Sequence, residues 1–147
     1  MSNAAATSPA APATLALDDA TVRDAGLLLL RVVPAVFMLT LHGWGKLQAL
    51  LAGAEGFPDP LGVGSLASAT LAVGAEVGAS AFVAVGLFTR LATVPLVITM
   101  AVAAFVLHAG DDLATRESAL VYLTLFLTVA ALGPGRWSLD GLRAPRA

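Results

Sequence analysis

Four long apolar runs limit what this chain can fold into. They cover residues 25–41, 62–88, 91–107 and 114–133, and each is near the roughly 20 residues that a helix needs to cross a hydrocarbon core of about 30 Å. A bilayer offers the backbone no hydrogen-bond partners, and the alternating pattern of barrel strands is absent, so the runs predict helices. No run has the polar face of a soluble bundle helix. The sequence therefore predicts an all-α, polytopic membrane protein, a bundle of four transmembrane helices.

The composition agrees with this prediction and excludes several classes of function. Hydrophobic residues make up 58% of the chain and charged residues 12%, and the mean hydropathy is +0.86. The chain has no cysteine, so disulfides, thiolate metal sites and thiol redox chemistry of its own are excluded. The net charge is -2 and there is no basic stripe, which excludes nucleic acid as a partner.

The polar, Gly-rich and Pro-rich segments that flank and separate the apolar runs predict the domain organisation. Residues 1–24 are rich in Ala, Pro, Ser and Thr and predict a disordered N-terminal tail. Residues 25–141 form the predicted transmembrane domain, and residues 142–147 a short C-terminal tail. The Gly- and Pro-rich residues 53–64 predict a loop, whereas residues 86–92 allow only a tight turn. Asp111, Asp112 and Thr115 are candidate caps for the fourth helix, and the Gly-Pro-Gly at 133–135 ends it.

The basic residues outside the runs predict the orientation in the membrane. With four crossings, both termini lie on the same side as the 86–92 turn. That side carries five basic residues and the other side two. The five are Arg23, Arg90, Arg136, Arg143 and Arg146, and the two are Lys46 and Arg116. Basic residues favour the cytoplasmic side, so we expect both termini to be cytoplasmic.

Two ionisable residues lie inside the predicted helices. Arg31 is in the first and Glu76 in the second, where an unpaired charge costs about 3 kcal/mol or more. At 1.5 Å per residue both lie at a similar depth below the outer helix ends. We therefore expect an ion pair between Arg31 and Glu76 inside the bundle.

Helical geometry extends this site toward the outer face. At 100° per residue, His42 lies about 20° and Lys46 about 60° from Arg31 around the first helix, so one face carries all three. His108 ends the third helix and Glu117 begins the fourth, at the same rim. The candidate ligand-binding residues, lining one polar cavity, are Arg31, His42, Lys46, Glu76, His108 and Glu117. No catalytic residue is assigned.

Each candidate also has a structural interpretation. A buried pair of Arg31 and Glu76 can simply fix helix register, Lys46 can snorkel to the interface, and a histidine near a helix end needs no function. Two histidines and Glu117 have the ligand types of a two-His, one-carboxylate metal site. They come from three helices with no diagnostic spacing, so no metal is assigned.

Several short motifs occur in order along the four predicted helices. They are Arg31, "HGWGKL" at 42–47, "EVG" at 76–78, "GLFTRLA" at 86–92, His108, Glu117 and "GPGRWSLD" at 133–140. Their order and placement resemble the DoxX family of four-helix bacterial membrane proteins, over nearly all of the chain after Asp24.

The resemblance implies a protein of the bacterial cytoplasmic (inner) membrane that is associated with quinone-linked redox chemistry. Relatives include a membrane subunit of thiosulfate:quinone oxidoreductase. By analogy, the cofactor is a quinone, with His42 or His108 donating to a carbonyl and Glu117 or Glu76 relaying the proton. The implied partners are the lipid bilayer and membrane or soluble oxidoreductase subunits that carry the electrons. Whether the chain is itself an enzyme, and whether it forms a homo-oligomer, stays open.

Two other functions are compatible with the same residues. Ionisable groups inside membrane helices also mark the paths of small-solute or proton-linked transporters. The third alternative is a structural membrane scaffold of an oxidoreductase complex, in which the charges only fix helix packing.

Overall fold

The computed structural model describes residues 18–143. Four helices are long and apolar enough to cross a membrane: α1 (Asp19–Leu51), α2 (Ser65–Val85), α3 (Thr89–Leu107) and α4 (Leu113–Leu132). A short helix, α5 (Leu139–Arg143), follows. The described residues contain no β-strand. The chain is thus an all-α, multi-pass membrane protein, as predicted.

The four spanning helices form an antiparallel bundle. Helix α1 packs against α2 and α4, and α3 packs against the same two helices. The N-terminal end of α1 and the segment before α5 meet through Arg136 and Asp24, whose side chains are 3.6 Å apart. Both ends of the described chain therefore lie on one side of the bundle, which we call the terminal side. The opposite side carries the 52–64 loop and is called the loop side.

The turns between helices lie where the glycine, proline and capping residues of the sequence predict them. Asp112 caps α4 by accepting a hydrogen bond of 2.9 Å from the Thr115 amide. The turn between α2 and α3 is tight, and Gly86 and Phe88 both adopt left-handed backbone conformations in it. Gly133, with φ of 85°, ends α4.

The first helix is longer than its apolar run. It begins at Asp19, six residues before the predicted boundary, because Asp18 accepts a hydrogen bond from the Thr21 amide and caps it. Asp24, placed in the predicted tail, is helical and buried. The rest of that tail, residues 1–17, lies outside the described residues. At the other end α5 reaches Arg143, and residues 144–147 of the predicted C-terminal tail also lie outside.

The core of the bundle combines large and small side chains. Met, Leu and Phe side chains from α1, α3 and α4 meet alanines and valines from α1, α2 and α4, which allows the backbones to approach closely. The cluster of buried residues consists of Ala35, Met38, Ala79, Val83, Leu96, Met100, Phe126 and Val129. Many large apolar side chains elsewhere on the four helices are exposed, as expected where the solvent is lipid.

Three of the spanning helices contain a π-helical segment. The segments are Met38–Gly43 in α1, Gly74–Ala79 in α2 and Ala103–Leu107 in α3. Such segments shift the side chains that follow them around the helix and are frequent at functional sites. In α3 the carbonyl of Ala104 accepts a hydrogen bond of 2.9 Å from Arg116 Nε of α4. The first two segments contain or adjoin the charged residues described next.

Candidate functional site: an ion pair beside a covered cavity

The central feature of the loop-side half of the bundle is an ion pair between Lys46 of α1 and Glu76 of α2. The ammonium donates a hydrogen bond to Glu76 Oε1. Glu76 is fully buried, whereas the Lys46 side chain is 36% exposed. Lys46 thus connects a carboxylate inside the bundle with its surface.

Gly43 brings the two helices close enough for this pair to form. A Cβ atom at this position would lie 2.8 Å from Val77 Cγ2 and 3.0 Å from the backbone oxygen of Glu76. The α1 backbone therefore passes directly against the α2 backbone at Glu76. Lys46, three residues further along α1, reaches the Glu76 side chain from there. Gly45 has open space around it and makes no such contact.

A cavity of about 340 Å³ adjoins the ion pair. Lys46 and Glu76 contribute to its wall, and the remaining wall is largely apolar and comes from α2, α3 and the loop between α1 and α2. Leu71 and Ile98, on facing helices at this cavity, are 62% and 56% exposed. The cavity is therefore bordered by lipid-facing residues, on a side where a molecule dissolved in the bilayer can approach.

The loop between α1 and α2 contributes four residues to the cavity wall. They are Phe57, Pro58, Pro60 and Leu61. Asp59, within this stretch, accepts hydrogen bonds from the Val63 amide (3.0 Å), the Gly64 amide (2.7 Å) and the Ser68 hydroxyl (2.7 Å). The Ser68 hydroxyl and then the Gly64 amide hold the pKa of Asp59 below its ordinary value. The loop is thus tied to the start of α2 in a defined position.

Two buried polar atoms near the ion pair have no hydrogen-bond partner among the described residues. One is the second carboxylate oxygen of Glu76, Oε2, and the other is the hydroxyl of Ser80, four residues further along α2. Buried polar atoms are nearly always paired, with protein, water or ligand. The unpaired carboxylate oxygen therefore needs a hydrogen-bond donor, which a water molecule or a ligand can supply.

Arg31 lies elsewhere, and the predicted ion pair between Arg31 and Glu76 was wrong. The Arg31 guanidinium donates to the backbone oxygens of Val83 (2.9 Å), Ala84 (2.8 Å) and Trp137 (2.7 Å). Val83 is seven residues beyond Glu76, about 10 Å along a helix, so the two charges lie at different depths. The positive charge of Arg31 is instead stabilised by the carbonyl groups at the C-terminal end of α2, where the helix dipole favours a cation.

Helix α5 completes this arrangement on the terminal side. Asp140 accepts hydrogen bonds from the amides of Phe88 (2.9 Å) and Thr89 (2.8 Å) and from the Thr89 hydroxyl (2.9 Å), which caps α3. Burial raises the pKa of Asp140, but the hydrogen bonds from Thr89 and Phe88 outweigh it and hold the pKa below its ordinary value. A Cβ atom on Gly86 would collide with Arg31 and Ser138, so only glycine fits there. We call Arg31, Gly86, Ser138 and Asp140 the terminal clamp.

The two histidines do not join the ion pair. His42 packs edge-on against Tyr122 of α4, with ring centroids 5.1 Å apart. His42 lies within the π-helical segment Met38–Gly43 of α1, so the angles of an ideal helix do not hold between Arg31 and His42. His108 Nδ1 lies 2.6 Å from Asp111 Oδ2, within the loop that precedes α4.

Glu117 is exposed on the outer surface of α4. It lines a groove between α1 and α4 whose other walls are mostly apolar and include Phe37, Val121 and Tyr122. The single polar cavity predicted from the sequence is therefore divided. Lys46 and Glu76 share one site, Arg31 belongs to the terminal clamp, and His42, His108 and Glu117 lie apart from both. Within residues 18–143 no three His, Asp or Glu side chains are grouped so that they could hold a metal ion.

Asp59, Ser68 and Ser80 were missed by the sequence analysis. The stretch "DPLGVG" at 59–64 has the Asp, Pro and Gly of a turn whose first side chain bonds the following amides, which is a recognisable signal for Asp59. Ser80 gives no such signal, because a serine in an apolar helix usually bonds its own backbone.

Comparison with known proteins identifies one family. The DoxX family model matches residues 26–109, which is 84 of the 147 residues. The matched region contains Lys46, Glu76 and Arg31 and ends before Glu117. No curated protein and no solved structure matches the chain.

Proposed function

This chain belongs to the DoxX family, and we propose that it binds a quinone in the cavity beside Lys46 and Glu76 and serves a quinone-linked oxidoreductase of the bacterial inner membrane. That it is a multi-pass membrane protein follows from its family and its four spanning helices. The observation that supports the finer proposal is the ion pair in the wall of an otherwise apolar cavity bordered by lipid-facing residues.

The residues at the cavity fit the chemistry of a quinone. A volume of about 340 Å³ is within the range of sites for small organic ligands, which are mostly apolar with a few polar groups. The ammonium of Lys46 has three N–H donors, and one bonds Glu76. The others are available to a carbonyl oxygen of the ring. The neighbouring lipid-facing residues suit the hydrophobic tail.

Lys46 and Glu76 also suit a ligand that gains and loses protons. A bound quinone would supply a couple of two electrons and two protons. Glu76, buried beside a cation, can accept a proton from a ligand hydroxyl, and Lys46 stabilises negative charge on a ligand oxygen. Lys46 also links the carboxylate to the surface on the loop side. The chain has no cysteine and so no thiol redox chemistry of its own, and we propose that a partner subunit carries the electrons.

Ligand binding by the purified protein tests this proposal. Decyl-ubiquinone should bind the protein in lipid nanodiscs, and Lys46→Met should weaken the binding by about tenfold, as expected for the loss of a charged hydrogen bond. Glu55→Gln, on the exposed part of the same loop, is the matched control and should bind normally. Glu117→Gln tests the groove between α1 and α4. Loss of binding in that variant alone would move the site there, and binding of neither decyl-ubiquinone nor its quinol by the unaltered protein refutes the proposal.

The absence of cysteine allows a clean test of the proposed orientation. A single cysteine at Glu55 reports on the loop side, and one at Leu142, whose side chain is 74% exposed, reports on the terminal side. With both termini cytoplasmic, a membrane-impermeant maleimide added to intact cells should label the first and not the second. The reverse pattern contradicts the orientation derived from the basic residues.

A further inference from the structure

The two oxygens of the Glu76 carboxylate have different surroundings. Oε1 accepts a hydrogen bond from Lys46, whereas Oε2 is buried and has no donor among the described residues. The residue is fully buried and lies in the cavity wall. A charged oxygen withdrawn from water in this way requires a donor.

A ligand that pairs with Glu76 Oε2 must carry a hydrogen-bond donor. A quinone ring offers only carbonyl oxygens, which accept hydrogen bonds, so it can be bound by Lys46 but leaves Oε2 unpaired. The reduced ring carries hydroxyl groups, and each hydroxyl donates one hydrogen bond and accepts others. Lys46 can therefore donate to both forms of the ring, whereas Glu76 Oε2 can accept a hydrogen bond only from the reduced form.

We propose that this cavity favours the reduced, hydroxyl-bearing form of its ring ligand, with Glu76 Oε2 accepting the hydrogen bond that the hydroxyl donates. Glu76 is then the residue that sets the selectivity between the two redox states. This inference rests on the proposed function, because it assumes that the cavity binds a quinone or its quinol. It adds the redox state that binds more tightly and the atom responsible.

A matched series of ligands tests the inference on the unaltered protein. Decyl-ubiquinol, decyl-ubiquinone and the dimethyl ether of decyl-ubiquinol share a ring and a tail, and only the quinol has hydroxyl donors. Binding is measured by calorimetry in nanodiscs without oxygen. We expect the quinol to bind at least about tenfold more tightly than the quinone, since pairing a buried charged oxygen is worth at least that factor. The dimethyl ether should lose this advantage.

A Glu76→Gln variant provides a second, independent test. Its amide replaces the negative charge and can donate to a carbonyl oxygen, so the preference for quinol should fall by about tenfold and can reverse. A preference for quinol that persists in this variant refutes the role of Glu76. If the variant does not fold, the ligand series alone decides the question.

The outcomes separate this inference from the proposed function. Equal binding of quinol and quinone, or tighter binding of quinone, overturns the inference and leaves the proposed function standing; this is the result expected if a water molecule already pairs with Oε2. Binding of neither form refutes the proposed function, and the inference with it. Tight binding of the dimethyl ether equally overturns the inference, because that ligand has no hydroxyl to donate.

Discussion

Replacing Gly43 with alanine should force α1 and α2 apart at the ion pair. The added Cβ would lie 2.8 Å from Val77 Cγ2 and 3.0 Å from the Glu76 backbone oxygen, whereas carbon atoms pack best at about 3.5–4.0 Å. Neither neighbour can move easily. The valine is β-branched and stiff about χ1 in a helix, and the oxygen belongs to the backbone. Overpacking of this kind costs about 1–3 kcal/mol.

The same motif contains a matched control for this substitution. Gly45 has nothing within 4 Å of an added Cβ, so Gly45→Ala changes helix propensity without a steric clash. Replacing a helical glycine with alanine gains about 0.5–1 kcal/mol at either position. The difference between the two variants therefore isolates the steric cost. Gly43→Ala should be less stable than Gly45→Ala by about 1–3 kcal/mol.

Reversible unfolding in mixed micelles, followed by circular dichroism, measures this difference. The same samples should show weaker quinone binding for Gly43→Ala, because the displaced helix moves Lys46 away from Glu76. Equal stability of the two variants would refute the close approach of the two backbones. It would also remove the structural reason for the first glycine of the "HGWGKL" motif.

Three further predictions concern the terminal clamp and the loop. Arg31→Met leaves three buried or partly buried carbonyls without their donor and should cost about 1.5–3 kcal/mol in the free energy of unfolding, with faster proteolysis near Trp137. Asp140→Asn weakens the cap on α3. Because the pKa of Asp140 is lowered in the folded state, Asp140 stabilises the fold above about pH 4 and loses this effect as the pH falls further. The midpoint of thermal unfolding should therefore fall less below about pH 4 in the variant than in the unaltered protein. Asp59→Ala frees the loop over the cavity and should increase its cleavage by protease, whereas Glu55→Ala on the same loop should not. Unchanged cleavage in Asp59→Ala, or an unaltered acid response in Asp140→Asn, contradicts the corresponding contacts.

The spanning helices were predictable because lipid imposes a simple requirement. Every backbone polar group must be paired within its own segment, so the length and apolarity of a run are enough to predict a helix. The beginning of α1 was harder to predict. Residues 19–24 are polar and resemble a tail, yet they continue the helix because Asp18 caps it and Asp24 lies beside Arg136 of the distant C-terminal segment. No local signal reports such a partner.

The candidate site was predicted only in part, and the reason lies in helix geometry. Lys46 and Glu76 were both identified as ionisable groups within or beside membrane helices. Their pairing was not, since Glu76 was assigned to Arg31 on the basis of depth calculated for ideal helices. The π-helical segments of α1 and α2 alter the direction of the side chains that follow. The side chain of Arg31 is long enough to reach backbone carbonyls at the end of α2, and these partners carry no formal charge that the sequence could show.

The sequence by itself determined that this chain crosses a membrane four times, which residues carry charge into it, and where the glycines and prolines break its helices. These properties depend on composition and spacing along the chain. Only the tertiary structure decided which charges meet, that Gly43 marks a contact between two backbones, and that one oxygen of Glu76 has no donor within residues 18–143. Those facts depend on how helices pack against each other, and packing is fixed by contacts between residues far apart in the sequence.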